Sequence, residues 1–147
     1  MQRILKETHC QPQWLKLEIT ESLLLGDSHE ILEVLKFFDA MGLAISIDDF
    51  GTGYSALSYL NRFPVSQIKI DRSFVRDIPD DQDKAELVKA MISIAQALHL
   101  ELVAEGAETR EQADYLYSHG CLCVQGYLFG RHLTHAVFEA LLASNGQ

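Results

Sequence analysis

Six polar or ionisable side chains interrupt runs that are otherwise apolar and largely β-branched. They are Glu18 in LKLEITES (15–22), Asp48 and Asp49 in LAISIDDFG (43–51), Lys69 in QIKIDRSF (67–74), Glu105 in ELVAEGAE (101–108) and Gln125 in CLCVQGYLF (121–129). A strand covered on both faces of a parallel sheet reads as nearly continuous Val, Ile and Leu. Charges recurring toward the same end of run after run therefore predict a site at the C-terminal rim of a parallel α/β sheet, where such folds bind ligands. Carboxylates converging at such a rim are oxygen donors for hard divalent cations, and a two-cation site needs one of them to bridge. A lysine in the same cluster suits the stabilisation of developing negative charge. Plainer readings stand beside these. An Asp–Asp pair at a strand end also caps a helix, and Lys69 also serves as a structural partner of Asp71 or Glu18. The GTGYS stretch at 51–55 does not satisfy the P-loop pattern and reads equally as a glycine turn into a helix.

Amphipathic segments separate the five runs and must position them. Asp27 with Glu30 suits a capping box, followed by Ile31, Leu32, Leu35 and Phe38 on one face and Gly42 as the stop. Asp83 with Glu86 opens the next helix, with Leu87, Met91, Ile94 and Leu98 at helical spacing. Thr109 with Gln112 opens another, closed at Gly120, and Thr134 opens the last, carrying Val137, Phe138, Leu141 and Leu142. A shorter helix is expected over Ser55–Asn61, halted before Pro64. The order βαβαβαβαβα favours right-handed crossovers and an all-parallel sheet. The fold class is thus α/β, parallel and TIM-barrel-like. It is incomplete, with about five of the eight strands of a (β/α) barrel, so about 100 residues are expected on the N-terminal side. The segment from Met1 to Trp14 is expected as a helix or an added strand. The half-open barrel is expected to expose an apolar inner face, which would drive self-association.

The chain of 147 residues suits one domain, 1–147, with no linker-like stretch. Apolar residues make up 48%, which places it among globular chains. The net charge is −9 with no basic block, which argues against nucleic acid or an anionic membrane as a partner. Its apolar runs fall short of the ~20 residues needed to cross a bilayer, and MQRILKETHC carries no signal-peptide core, so direct membrane insertion is not expected. Three cysteines point to a reducing, cytoplasmic setting. Cys121 and Cys123 with His132 and His135 offer a zinc reading that fits no closed structural set well.

The ordered stretches LEITES, IDDFGTGYSAL, IKIDRSFV, VAEGAET and QGYLFGR resemble the C-terminal part of the EAL-domain family, the cyclic di-GMP phosphodiesterases of bacterial second-messenger signalling. The resemblance runs along essentially the whole chain. EGAET stands where EGVET is more usual, and GRHLTH where a proline-containing GRPL is common. The glutamate of the Glu-Ala-Leu signature and a metal-binding asparagine belong to earlier strands that this sequence does not include.

The resemblance implies a metal-dependent hydrolase that opens cyclic di-GMP to linear pGpG with two divalent cations, Mg²⁺ or Mn²⁺. Glu18 and Asp48 hold the first cation, with Asp48 bridging, and Asp49 and Glu105 serve the second. Lys69 polarises the attacking water or steadies the phosphorane charge, Gln125 fixes the water network, and Glu21 braces the loop 50–55. Thr52, Gly53 and Tyr54 on that loop contact the ligand. Glu108 and Thr109 are read as helix-start residues. Phe50, Tyr54 and Phe129 are read as packing, with Phe129 alternatively bordering a guanine. With two metal ligands missing, the isolated chain is expected to be weak or inactive, and a homodimer or swapped assembly is expected to cover the gap. The alternative is a non-catalytic module that binds cyclic di-GMP or a protein.

Overall fold

The computed structural model describes residues 1–25, 28–53 and 60–145. Asp27, Tyr54 and most of the expected helix 55–61 lie outside the described residues. The N-terminal segment is helical, with α1 at Gln2–Thr8 and a 3-10 turn at Pro12–Trp14, rather than an added strand. There follow β1 (Lys16–Thr20), a 3-10 turn (Glu21–Leu25), α2 (Ser28–Ala40), β2 (Ala44–Phe50), β3 (Gln67–Ile70), α3 (Arg72–Val75) and α4 (Gln82–Ala97). The chain continues with β4 (Glu101–Ala104), α5 (Arg110–Ser118), β5 (Cys123–Val124) and α6 (His135–Asn145). All strand pairs are parallel, in the order β1-β2-β3-β4-β5, forming one five-stranded sheet among the described residues.

The strands are split between two faces by their two-residue period. Ile19, Ile45, Ile47, Ile68, Ile70 and Ala104 join the core with Leu35 of α2, Val88 and Ile92 of α4 and Leu116 of α5. The opposite face carries Lys16, Glu18, Ser46, Asp48, Gln67, Lys69 and Glu101, and it is concave. Strands three places apart in a flat sheet stand ~14 Å from one another, yet Lys16 of β1 meets Glu101 of β4 at 2.9 Å. Its stagger is that of a barrel as well. Glu18 pairs with Ser46 and Ser46 with Gln67, but the Glu18 carboxylate reaches Lys69, two residues further along β3, at 2.9 Å. Two residues over two strands matches the shear of 8 in an eight-stranded barrel.

Three expectations are corrected. The concave face is polar and cross-linked, so the exposed apolar side chains lie elsewhere, on α6 and around Tyr127 and Phe129. The cap of α4 is Asp81, which accepts from the Lys84 N–H, and the buried face is Ala85, Val88, Met91, Ile92 and Ala95. Of the four residues expected on its face, Met91 is buried, Ile94 and Leu98 pack partly buried against the core, and Leu87 is exposed. Glu18 sits in the middle of β1 rather than at its end. The capping box of Thr109 and Gln112 forms, with both reciprocal bonds present.

Candidate functional site at the strand rim

Lys69 is the centre of the rim. Its neighbours Ile68 and Ile70 are fully buried, and the lysine itself is only 7% exposed. Its Nζ stands 2.9 Å from Glu18 Oε1, 3.1 Å from Asp48 Oδ1 and 2.6 Å from Glu105 Oε1. Burial alone would favour the neutral amine, but the contacts with Glu105, Glu18 and Asp48 outweigh it and hold the ammonium above the ordinary lysine range. Gln125 adds to the cluster by donating from Nε2 to Glu105 Oε1 at 3.0 Å. Five of the six residues singled out in the apolar runs are thus joined, although they come from five strands or the residues just after them.

The sixth, Asp49, is re-aimed by a backbone irregularity. Adjacent residues of a regular strand point to opposite faces. Between β2 and β3 the register shifts, with Ile47 opposite Ile68 and Phe50 opposite Ile70. Asp48 and Asp49 together oppose the single residue Lys69, a one-residue bulge. Asp49 takes up the bulge in a left-handed conformation with φ 54°. Burial, then the charges of Asp48 and Asp71, push its carboxyl above the ordinary carboxylate range. Asp71 is a neighbour that sequence reasoning named only as a possible partner of Lys69. It also caps α3, accepting from the Ser73 N–H. Its position in IKIDRSF, two residues after Lys69, was the available signal.

Behind the bulge, Glu21 is buried with one oxygen engaged. Its Oε2 accepts from the N–H groups of Gly51 (2.9 Å) and Gly53 (3.1 Å), while Oε1 has no hydrogen-bond partner. A Cβ at Gly53 would stand 2.5 Å from Glu21 Oε1, so any larger residue there would displace that carboxylate. Thr52 donates its hydroxyl to the Asp49 carbonyl at 2.8 Å, so it closes the turn in this structure. On the other side, a cavity of about 740 Å³ lies beside Glu105 and Gln125, walled by Arg72, Tyr127, Phe129, Arg131 and Phe138. The Arg131 guanidinium lies 5.0 Å from the Tyr127 ring centroid. Phe50 packs in the core, but Phe129 does not; it is 61% exposed and lines the cavity. Glu108 also lines the cavity, and Thr109 is the N-cap of α5.

The profile of the EAL domain matches residues 1–132. The chain belongs to the EAL-domain family. Among EAL proteins, it is 46% identical over 129 residues to the cyclic di-GMP phosphodiesterase NbdA of Pseudomonas aeruginosa, covering 88% of this chain and 16% of NbdA. The solved PaMucR phosphodiesterase in complex with c-di-GMP superposes with a TM-score of 0.88 at 42% identity, over 93% of this chain and 56% of that one. BlrP1 of Klebsiella pneumoniae, solved with manganese and c-di-GMP, has a TM-score of 0.81 at 37% identity, over 86% of this chain and 32% of that one. The chain therefore spans about a sixth of NbdA and just over half of the PaMucR chain.

BlrP1 has been solved with calcium or with manganese, and the donor set here is chemically suited to divalent cations. It is all oxygen and anionic. Asp48 Oδ1 is buried and, although it faces the ammonium at 3.1 Å, has no hydrogen bond of proper geometry. The crowding of Asp49 by Asp48 and Asp71 is relieved by added positive charge. Among the described residues no three His, Cys, Asp or Glu side chains are gathered to hold a cation by themselves; the ammonium of Lys69 stands at the centre instead. Among the described residues, no helix is long and apolar enough to cross a membrane.

Proposed function

We propose that residues 1–147 form the C-terminal part of a cyclic di-GMP phosphodiesterase domain, which opens the cyclic dinucleotide to linear pGpG. The observation that carries this reading is the buried Lys69 ammonium with Glu18, Asp48 and Glu105 drawn around it at the strand rim. Glu18, Asp48, Asp49 and Glu105 would hold Mg²⁺ or Mn²⁺, with Asp48 shared. The cations, when bound, activate water and neutralise phosphate charge. Lys69 stays protonated and is set to donate to a non-bridging phosphate oxygen as its charge grows. Gln125 orients Glu105 through its carboxamide. Glu21 fixes the start of the loop that carries Thr52, Gly53 and Tyr54, the residues proposed to touch the ligand. The cavity beside Gln125, with its aromatic and arginine wall, is of a size suited to a nucleotide. A cytoplasmic location follows from the substrate class.

The pairing of Lys69 with the carboxylates also supports a second reading, a module that binds cyclic di-GMP without cleaving it. One experiment separates the two. The chain is assayed with Mn²⁺ and cyclic di-GMP, alone and joined to the preceding strands of an EAL domain. The lone chain is expected to show undetectable or very weak hydrolysis, since one lost contact to the developing charge costs ~10²–10³ in rate. The joined form is expected to turn over, to lose activity on Asp48→Asn, and to tolerate Glu108→Gln better. Robust turnover by the lone chain would overturn the assignment of the missing ligands, and an inactive joined form that binds Mn²⁺ would favour the binding module.

A further inference from the structure

Beneath the Lys69 cluster the concave face carries a second polar chain. Ser46 Oγ donates to Gln67 Oε1 at 2.9 Å, and Gln67 Nε2 donates to Glu101 Oε2 at 3.1 Å. Lys16 Nζ donates to that same oxygen at 2.9 Å. One residue from each of β1, β2, β3 and β4 is therefore linked. Lys16, Ser46 and Gln67 lie two residues before Glu18, Asp48 and Lys69, so each shares a strand and a face with the rim residue above it. The Ser46–Gln67 bond is buried and closed to water, whereas Lys16 and Glu101 at the other end are exposed, so Gln67 is the link through which the chain is anchored. Backbone pairing sets the distance between neighbouring strands. Its stagger favours a curl, but in an arc that is not closed into a barrel it leaves the extent of the bend to side-chain contacts. A side-chain link from β1 to β4 sets that extent, because Lys16 and Glu101 meet only if the strands between them bend inward.

We infer that Gln67 and Glu101 are positioning residues: the Ser46–Gln67–Glu101–Lys16 chain sets the curl that brings Glu18, Asp48 and Glu105 to Lys69. The inference deepens the phosphodiesterase reading and rests on it for its consequence in metal binding, while the curl can be judged without it. Gln67 and Glu101 touch no group proposed to react, and act only through the strands they tie.

The test uses the 147-residue chain with Gln67→Leu, Glu101→Gln and, as a control, Leu116→Ala, which opens a fully buried position on α5 away from the concave face. Two readouts are taken with the melting temperature: acylation of Lys69 by acetic anhydride relative to that of Lys89, by mass spectrometry, and affinity for Mn²⁺ alone, by electron paramagnetic resonance. Gln67→Leu is expected to speed Lys69 acylation several-fold and to weaken Mn²⁺ binding by about tenfold, the low end for loss of an outer-shell support. Glu101→Gln keeps an acceptor oxygen and is expected to stay near the parent. Leu116→Ala is expected to lower the melting temperature and leave both readouts unchanged. Parent-like acylation in Gln67→Leu, or equal acceleration in Leu116→Ala, would overturn the inference. If Gln67→Leu does not fold, Ser46→Ala breaks the same chain at its other end and is judged by the same criteria. A parent chain that binds no Mn²⁺ would show that the rim needs the ligands of the preceding strands to hold a cation, and the acylation readout then decides the curl on its own.

Discussion

Single atoms decide several positions around the rim. Gly126 follows Gln125, and a Cβ there would stand 2.1 Å from the Ala107 carbonyl oxygen and 2.4 Å from its nitrogen. Both are backbone atoms already committed: Ala107 N–H donates to the Gln125 carbonyl, and its carbonyl accepts from Leu128. Nothing flexible can yield, so Gly126→Ala is expected to cost about 2–3 kcal/mol in thermal or urea unfolding, the range of overpacked sites. Gly130→Ala is its control, because a Cβ there meets nothing within 4 Å. Equal melting of the two variants would refute the close approach. The cysteines separate in the same way. Burial pushes the Cys121 thiol from its ordinary 9.0 up to about 11, and its Sγ donates to the Cys123 carbonyl. Cys123 is exposed. Iodoacetamide at pH 8 is expected to modify Cys123 and spare Cys121 until the chain unfolds. The folded state binds the Cys121 proton more tightly than the unfolded one, so this stabilising contribution is complete below pH 9. It is lost as pH rises from 9 through about 11, a decline that a Cys121→Ala variant should not show in urea melts across that window.

At the scale of elements, what was legible followed from local pattern. The order of strands and helices among the described residues, the Thr109–Gln112 capping box and the turn with positive φ at Gly120 depend on residues a few positions apart, and these are present. Of the residues expected on the α4 face, Met91 is buried and Ile94 and Leu98 pack against the core; Leu87 alone is exposed, because it satisfies the helical period yet lies outside the contact with the sheet. Glu18 converges from mid-strand because the sheet is staggered, and stagger is a relation between strands that no single run contains. The bulge in β2 was likewise invisible: two adjacent aspartates do not reveal that one of them is left-handed. That conformation makes a prediction. Asn tolerates φ near +54° whereas a β-branched side chain does not, so Asp49→Val is expected to lose about 1–2 kcal/mol more than Asp49→Asn by thermal melting. Similar melting temperatures would mean that the register shift is not taken up at Asp49. The capping box is open to a parallel test. Gln112 is buried, accepts from the N–H groups of Glu108 and Thr109, and donates to the Arg76 carbonyl. Gln112→Ala leaves three backbone groups short of a partner and is expected to cost about 2 kcal/mol.

At the scale of the whole molecule, β1 and β5 are, among the described residues, the edge strands of the five-stranded arc, each paired with a strand on one side only. The apolar surface that accompanies them is not the concave face, which is polar and cross-linked by ion pairs and hydrogen bonds. It is α6, where Val137, Phe138, Leu141 and Leu142 are all about half exposed, together with Tyr127 and Phe129 at the mouth of the cavity. Val124 of β5 lines the same cavity as Tyr127, Phe129, Phe138 and Leu141, so apolar side chains gather beside that edge strand. The other edge, at β1, has Trp14 just before it, 73% exposed. Contiguous apolar surface of this kind is uncommon on monomers. A net charge of −9 opposes association at low ionic strength, because the copies repel one another. Salt screens that repulsion over ~10 Å at 0.1 M and strengthens apolar contact at higher concentration. Self-association is therefore expected to rise both with protein concentration and with salt. Light scattering should show a mass above one chain at 0.5 M salt that falls on dilution. Phe138→Glu with Leu141→Glu, placing two charges on α6, should shift the chain toward the monomer while leaving its far-ultraviolet circular dichroism unchanged. A monomer at every concentration and salt, with no binding of a hydrophobic dye, would show that the edges and α6 are too well guarded to drive assembly. A dimer indifferent to the two glutamates would move the interface from α6 to the open strand β1.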